Sequence, residues 1–113
     1  MSIKYPWIAA ALCVLATPTQ VYAQAQAVTG LTVNYVYQLH HVADSFEFEA
    51  AMGQPHACGS KLYRVTDMDP DRLARHFTLV LTAFTTDKKL SIWETGVCAG
   101  GGRMSVGWTR LTN

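Results

Sequence analysis

Two glutamates at alternate positions, Glu47 and Glu49, are the most direct candidates for catalysis in the sequence. Residues two apart on a strand share one face, so the two carboxylates would lie side by side. Paired carboxylates carry out glycoside hydrolysis. The alternation with Phe46 and Phe48 favours instead a short edge strand with phenylalanines inward and glutamates in water. A small hydrolase stays a third hypothesis, which requires that the glutamate pair line a cleft.

The carboxylates and imidazoles of the chain do not have the spacing of a metal site. Asp67, Asp69 and Asp71 resemble the start of a calcium loop, but Arg72 and Thr78 stand where such a loop needs glycine and glutamate. That segment therefore predicts a turn and a helix cap. The four histidines have no ligand partner at a usable spacing, since the adjacent pair would point to opposite faces of a strand. These histidines are His40, His41, His56 and His76.

The remaining motifs predict structure and not catalysis. The glycines at 100–102 lack the Lys-Ser/Thr pair of a phosphate-binding loop, and they favour a hairpin connection whose glycines allow positive φ. No Ser-His-Asp or Cys-His arrangement can be recognised. We therefore predict that the protein is not an enzyme, with no catalytic residue, no metal and no cofactor.

Residues 1–23 have the pattern of a secretory signal peptide. Lys4 supplies the positive charge, residues 7–16 (WIAAALCVLA) are apolar throughout, and Val21-Tyr22-Ala23 fits a cleavage site. Ten apolar residues span about 15 Å as a helix, about half of a bilayer core, so a permanent membrane span is disfavoured. Cleavage after Ala25 also fits the pattern. Residues 24–113 are then one domain, exported to the periplasm or secreted.

Two cysteines, Cys58 and Cys98, lie after the predicted cleavage site, while Cys13 lies within the leader. An even pair in an oxidising compartment predicts a disulfide. His56 is the only nearby group that could activate a thiol, which makes a catalytic cysteine the weaker hypothesis.

The hydrophobic pattern predicts the order β-β-β-α-β-β, with strands at 31–40, 46–49, 61–66, 88–95 and 103–111. Asp69 and Pro70 predict the helix start. Inward positions of the first strand are expected at Leu31, Val33, Tyr35, Tyr37 and Leu39, and those of the last strand at Met104, Val106 and Trp108. The helix is expected to bury Leu73, Phe77, Val80, Leu81 and Phe84.

This order predicts an α+β fold that is mainly β, a small OB-like barrel of five strands closed by the helix. An open sheet with the helix on one face is the alternative. Trp93 is expected to point away from Leu90 and Ile92. An outward tryptophan can stack on a sugar or an apolar ligand, which makes Trp93 the candidate ligand-binding residue. The alternative is that Trp93 fills a second small core or an oligomer interface.

Residues 75–98 (RHFTLVLTAFTTDKKLSIWETGVC) resemble small secreted proteins of Gram-negative bacteria, in which a Leu/Ala-rich helix leads into a strand and a Gly-x-Cys. The same passage is similar to the B subunits of bacterial AB5 toxins of the subtilase-cytotoxin and typhoid-toxin kind. That resemblance implies a disulfide-bonded OB-fold that forms pentamers and binds glycans. It assigns no sugar-binding residue in this chain, and the broader group has no assigned activity.

Charge and composition narrow the partners further. Nine Lys and Arg against eight Asp and Glu give a net charge of +1, which provides no basic surface for nucleic acid. We therefore predict a non-catalytic binding module that recognises a carbohydrate or another cell-surface ligand. Assembly into a homo-oligomer is compatible with this prediction. The alternative is an envelope structural or protein-interaction module, or a secreted inhibitor.

Overall fold

The computed structural model describes residues 24–38 and 43–113, and it places five strands and one helix in the predicted order. The predicted leader lies outside the described residues. So do Leu39, His40 and His41, at the end of the predicted first strand and just after it. The elements are β1 (Gln26–Gln38), β2 (Ser45–Ala51), β3 (Leu62–Thr66), α1 (Pro70–Thr85), β4 (Lys89–Ala99) and β5 (Arg103–Thr112).

The five strands close into a ring in the order β1-β2-β3-β5-β4, with β1 paired to both β2 and β4. The β3–β5 pair is parallel and the other four pairs are antiparallel. Because the ring is closed, the alternative of an open sheet is wrong. Among the described residues, no helix has the length and hydropathy needed to cross a membrane.

Apolar side chains from every strand and from α1 fill the inside of the ring. Phe46 meets Phe77 of α1 edge-on, with ring centroids 5.1 Å apart, and Phe48 stacks on Tyr63 at 5.2 Å. The inward orientation predicted for both phenylalanines of β2 is confirmed, since both are fully buried. Aromatic pairs of this kind add about 0.5–1.5 kcal/mol beyond the area they bury, so the Phe46–Phe77 contact helps to hold the helix against the ring.

A bulge in β1 reverses part of its predicted orientation. Val33 pairs with Ala50 but Tyr35 pairs with Glu49, so Asn34 is the extra residue. One inserted residue exchanges the two faces of every position after it. Val36 therefore packs against the core while Tyr35 lies outside, and the prediction that Tyr35 and Tyr37 face inward is wrong.

A second irregularity does the same in β5. Glu94 pairs with Val106, but Ile92 pairs with Thr109, so β5 has an additional residue between these two pairs. Met104 and Val106 are buried as predicted, whereas Trp108 is 38% exposed. The prediction of an inward Trp108 is wrong because the bulge turns it to the outer surface.

The helix begins as predicted and buries a narrower face than predicted. Asp69 is the N-cap, and its carboxylate accepts a hydrogen bond from the Asp71 N–H at 2.9 Å. Val80 and Ala83 are buried, and Leu73 and Phe77 pack against the core. Leu81 and Phe84 are 40% and 44% exposed, so their predicted burial is wrong.

The predicted disulfide between Cys58 and Cys98 is present and joins the loop after β2 to the end of β4. The predicted glycine turn follows immediately and connects β4 to β5, with positive φ at Gly101 and Gly102. A Cβ on Gly102 would lie 3.1 Å from the Cys58 carbonyl oxygen. Glycine therefore allows this turn to pass close to the disulfide loop.

Candidate functional site

Trp93 and Trp108 lie together on the outside of the ring. Trp93 lies between two buried residues of β4, Ile92 and Glu94, and is itself half-buried. Its ring centroid is 6.4 Å from that of Trp108, with 26° between the two planes. The guanidinium carbon of Arg110 lies 5.7 Å from the Trp108 centroid on the same strand. We call these three residues the tryptophan surface.

The position of Trp93 depends on the absence of a side chain at Gly107. A Cβ at Gly107 would lie 2.9 Å from Cδ1 of Trp93 and 3.5 Å from a methyl group of Thr95. The indole therefore lies directly against the backbone of β5, where the bulge turns Trp108 outward beside it. Two indoles held by paired strands form a preorganised aromatic surface of the kind that packs against the apolar face of a sugar.

The Glu47 carboxylate is not solvated as predicted; it is fully buried on the outer face of the sheet. In the strand register it lies directly between Tyr37 of β1 and Arg64 of β3. The Tyr37 hydroxyl donates to Oε1, and Arg64 Nε donates to Oε2 at 2.7 Å. The Nε of Arg103 lies 2.8 Å from Oε2 as an ion pair whose angle falls short of a hydrogen bond. We call these four residues the Glu47 network.

The charges of this network determine its protonation states. Burial opposes ionisation of Glu47, but its contacts with Tyr37, Arg103 and Arg64 outweigh burial and hold its pKa below the ordinary value. Burial and the bond to Glu47 raise the pKa of Tyr37. Glu47 is therefore an ionised anchor at neutral pH. Both of its oxygens are occupied by neighbouring side chains, so it has no open side for a substrate.

Arg103 is held from its other side by the glycine turn. Its Nη1 donates to the carbonyl oxygens of Gly100 and Gly101 at 3.2 and 3.3 Å. A Cβ at Gly101 would overlap this guanidinium. The turn therefore needs glycine both for its backbone conformation and for space beside Arg103. In this way the segment next to the disulfide positions a side chain of the Glu47 network.

Glu49, two residues further along β2, is in a different environment. It is half-buried, and its carboxylate accepts hydrogen bonds from Asn34 Nδ2 at 3.0 Å and from the Tyr35 hydroxyl at 3.2 Å. Both donors are neutral. Sequence reasoning missed Asn34 and Tyr35 because the strand alternation placed Tyr35 in the core. Asn34 is the bulged residue, and an asparagine within a strand pattern does not by itself indicate a bulge.

A further carboxylate, Glu94, lies inside the ring. Its oxygens accept from the Tyr63 hydroxyl at 2.6 Å and from Gln26 Nε2 at 3.0 Å. Burial and the hydrogen bond to Glu94 raise the pKa of Tyr63, so the phenol remains a donor.

His56, in the loop that carries the disulfide, is also buried. Its Nδ1 accepts a hydrogen bond from the Cys58 N–H, and its Nε2 is bonded to the Leu62 carbonyl oxygen. Both ring nitrogens therefore form hydrogen bonds, and His56 stabilises the disulfide loop.

The aspartates before α1 form the predicted turn and cap. Arg72 donates to both oxygens of Asp67, and the Asp69 N–H donates to the same carboxylate. These bonds lower the pKa of Asp67 to about 2. Within residues 24–38 and 43–113, no group of three His, Cys, Asp or Glu side chains has an arrangement that could hold a metal ion.

Comparison of the chain with protein-family models, curated proteins and solved structures finds no match.

Proposed function

We propose that the protein is an exported, non-catalytic binding module that recognises carbohydrate through the tryptophan surface. One observation supports it most directly: the bulge in β5 and the glycine at position 107 place Trp93 and Trp108 side by side on the outside of the closed ring. An indole exposed to water forgoes part of the burial energy available to it, about 25 cal/mol per Å² of apolar surface. A ligand that covers the pair would recover that energy.

The fold is proposed to be an OB-type barrel. In support, β1 is shared between β2 and β4, β3 runs parallel to β5, and the helix joins β3 to β4. Barrels of this class bind oligosaccharides and oligonucleotides on a strand face and its loops. The chain lacks the positive charge that nucleic acid requires, so the oligosaccharide alternative is favoured. The resemblance to AB5 toxin B subunits belongs to this proposal and suggests cell-surface glycans as targets.

Export is proposed from the leader pattern of residues 1–23 together with the bonded cysteine pair, since stable disulfides are typical of oxidising compartments. Intact mass of the protein recovered from the periplasm or the medium tests this. The expected mass is that of residues 24–113 less two hydrogens, with residues 26–113 as the second cleavage product. A recovered protein that retains residues 1–23, or that has two free thiols, contradicts the proposal.

A glycan array with the oxidised protein tests carbohydrate binding. Trp108→Ala is expected to abolish or strongly weaken the signals of the wild-type protein while the melting temperature stays nearly constant. Phe84→Ala is the matched control, because Phe84 is an aromatic residue of similar exposure on α1. Its array profile should equal that of the wild type. Trp93→Ala should act like Trp108→Ala, and a large drop in melting temperature without a change in binding would show that Trp93 has only a packing role.

The alternative, a protein-interaction module, has one observation in its favour. Helix α1 exposes Leu81 and Phe84, and an open apolar pocket of about 350 Å³ lies along a different part of the same helix. Its lining residues are Ala74, Arg75, Thr78 and Leu79. Light scattering over a concentration series distinguishes the alternatives. A silent glycan array together with self-association that Leu81→Ser removes would favour protein interaction over carbohydrate binding.

A further inference from the structure

We propose that the outer surface formed by Asn34, Tyr35 and Glu49 is a second binding site, which takes a pyranose through two adjacent hydroxyl groups. The sheet separates it from the tryptophan surface. Trp93 pairs with Ala27 of β1, and Tyr35 lies eight positions further along the same strand, a path of at most about 26 Å at about 3.3 Å per residue. The two surfaces therefore cannot share one monosaccharide.

The backbone itself brings the aromatic ring to this site. The bulge at Asn34 turns Tyr35 out of the core and leaves 41% of it exposed. Tyr37 stands beside it, with ring centroids 5.8 Å apart. Bulges that redirect a side chain are over-represented near functional sites. Val36 packs against the core in the place predicted for Tyr35. The core therefore does not need the Tyr35 side chain, which is free to contact a ligand.

The polar groups beside the ring match a diol. Glu49 is fixed by two neutral donors, the Asn34 amide and the Tyr35 phenol. No ion pair within residues 24–38 and 43–113 includes Glu49. A carboxylate accepts several hydrogen bonds, so lone pairs remain for two hydroxyl donors on one sugar ring. The Asn34 carbonyl oxygen adds an acceptor, and the ring of Tyr35 provides the apolar contact that C–H groups of a sugar require.

The site rests on a rigid support. Beside Tyr37, on the neighbouring strand, lies the fully buried Glu47, which is held by Arg64 and Arg103. The charges of Arg64, Arg103, Glu47 and Glu49 sum to zero, so the surface carries no net charge that would attract an ion. A neutral ligand with hydroxyl donors is therefore favoured over a charged one. Preorganised groups on strands lose little freedom when a ligand binds, which is the condition for recognising a small sugar.

The experiment is a titration of the oxidised, ¹⁵N-labelled protein with methyl glycosides of glucose, galactose and mannose, followed by amide chemical shifts. At least one glycoside is expected to shift the amides of Asn34, Tyr35 and Glu49, with a dissociation constant in the millimolar range that is usual for so small a ligand. The glycoside that binds is then compared with its analogue lacking one of the two adjacent hydroxyls, which should bind about tenfold more weakly or worse.

Three variants locate the effect. Glu49→Gln is expected to weaken binding about tenfold or more, because a hydrogen bond to a charged acceptor is lost. Tyr35→Ala removes the ring and should also abolish the shifts. Tyr35→Phe keeps the ring and should retain most of the affinity. Trp108→Ala is the control for the tryptophan surface and should leave the shifts at this site unchanged.

The outcomes are separable from those of the proposed function. Absence of shifts at Asn34, Tyr35 and Glu49 with all three glycosides at about 50 mM, a concentration that would reveal millimolar binding, overturns the second site. Shifts that persist undiminished in Glu49→Gln overturn it as well. If amides around Trp93 and Trp108 alone respond, the second site is wrong and the proposed function stands. If the amides of Asn34, Tyr35 and Glu49 respond although Trp108→Ala does not alter the glycan array, the second site stands and binding through the tryptophan surface is wrong.

Discussion

The substitution Glu47→Gln tests whether the Glu47 network stabilises the fold. Removing one partner of a buried ion pair costs about 3–5 kcal/mol, because the remaining charge stays buried without compensation. Here the remaining partners are partly solvated, since Arg64 and Arg103 are 26% and 24% exposed. We therefore expect a smaller loss of unfolding free energy, about 2–3 kcal/mol. A domain of this size has a total stability of about 5–13 kcal/mol, so the variant would lose a large fraction of it.

The assay is thermal unfolding followed by circular dichroism, supported by urea unfolding. A loss of about 2–3 kcal/mol lowers the melting temperature of a small domain by about 10–20 °C. Glu49→Gln is the matched control, with the same chemical change two residues away on the same strand. Its carboxylate is half-buried and bonded only by neutral donors, so we expect a loss of about 1 kcal/mol or less.

The pH dependence gives a second, independent readout. The folded-state pKa of Glu47 lies below its ordinary value of 4.5. Its contribution to stability is therefore fully present above pH 4.5 and is lost as the pH falls towards the folded-state pKa. The difference in stability between wild type and Glu47→Gln should shrink over that acidic range. If Glu47→Gln and Glu49→Gln cost the same small amount at pH 7, the network does not have the stabilising role assigned to it.

Three further predictions concern other parts of the ring. Replacing both Cys58 and Cys98 by alanine should cost about 4 kcal/mol in the chain-entropy estimate for a separation of 40 residues, measured by urea unfolding; an unchanged midpoint would contradict it. Gly107→Val should displace the Trp93 indole, change the near-ultraviolet circular dichroism and cost about 1–3 kcal/mol by overpacking, whereas an unaltered spectrum would show that the indole does not rest on this glycine. Burial lowers the pKa of His76, so the free energy of unfolding should fall as the pH drops from 6.5 towards the folded-state pKa. His76→Gln should reduce this pH dependence of the melting temperature. An unchanged pH dependence would show that His76 is not its source.

Local chemistry predicted the elements of this fold well. The Asp69-Pro70 pair marks the helix start because both residues act within one turn of the chain. The alternation around Phe46 and Phe48 identifies β2 and its inward face, and the cysteine count predicts the disulfide. Each of these signals is carried by residues close together in sequence, or by simple counting.

The orientations that failed depend on strand pairing over long distances. Period-two alternation holds until a bulge inserts one residue, and neither Asn34 nor the segment at Gly107 shows by its type alone that it is bulged. Glu47 looks like a solvated glutamate until Arg103, far away in sequence, is brought beside it by the β3–β5 pairing. The candidate site was therefore predicted only through Trp93, while its neighbours Trp108 and Arg110 required the three-dimensional register.

Closure of the ring has a consequence for how the chain folds. The first half of β1 pairs with β4, as in Gln26 with Glu94, while the second half pairs with the nearby β2. The first described strand therefore cannot complete its hydrogen bonds until β4 has been synthesised. Contacts this distant in sequence give a high contact order, which predicts folding in milliseconds to seconds and after synthesis. Until β4 and β5 have formed, the ring is open and part of the backbone of β1 lacks its hydrogen-bond partners.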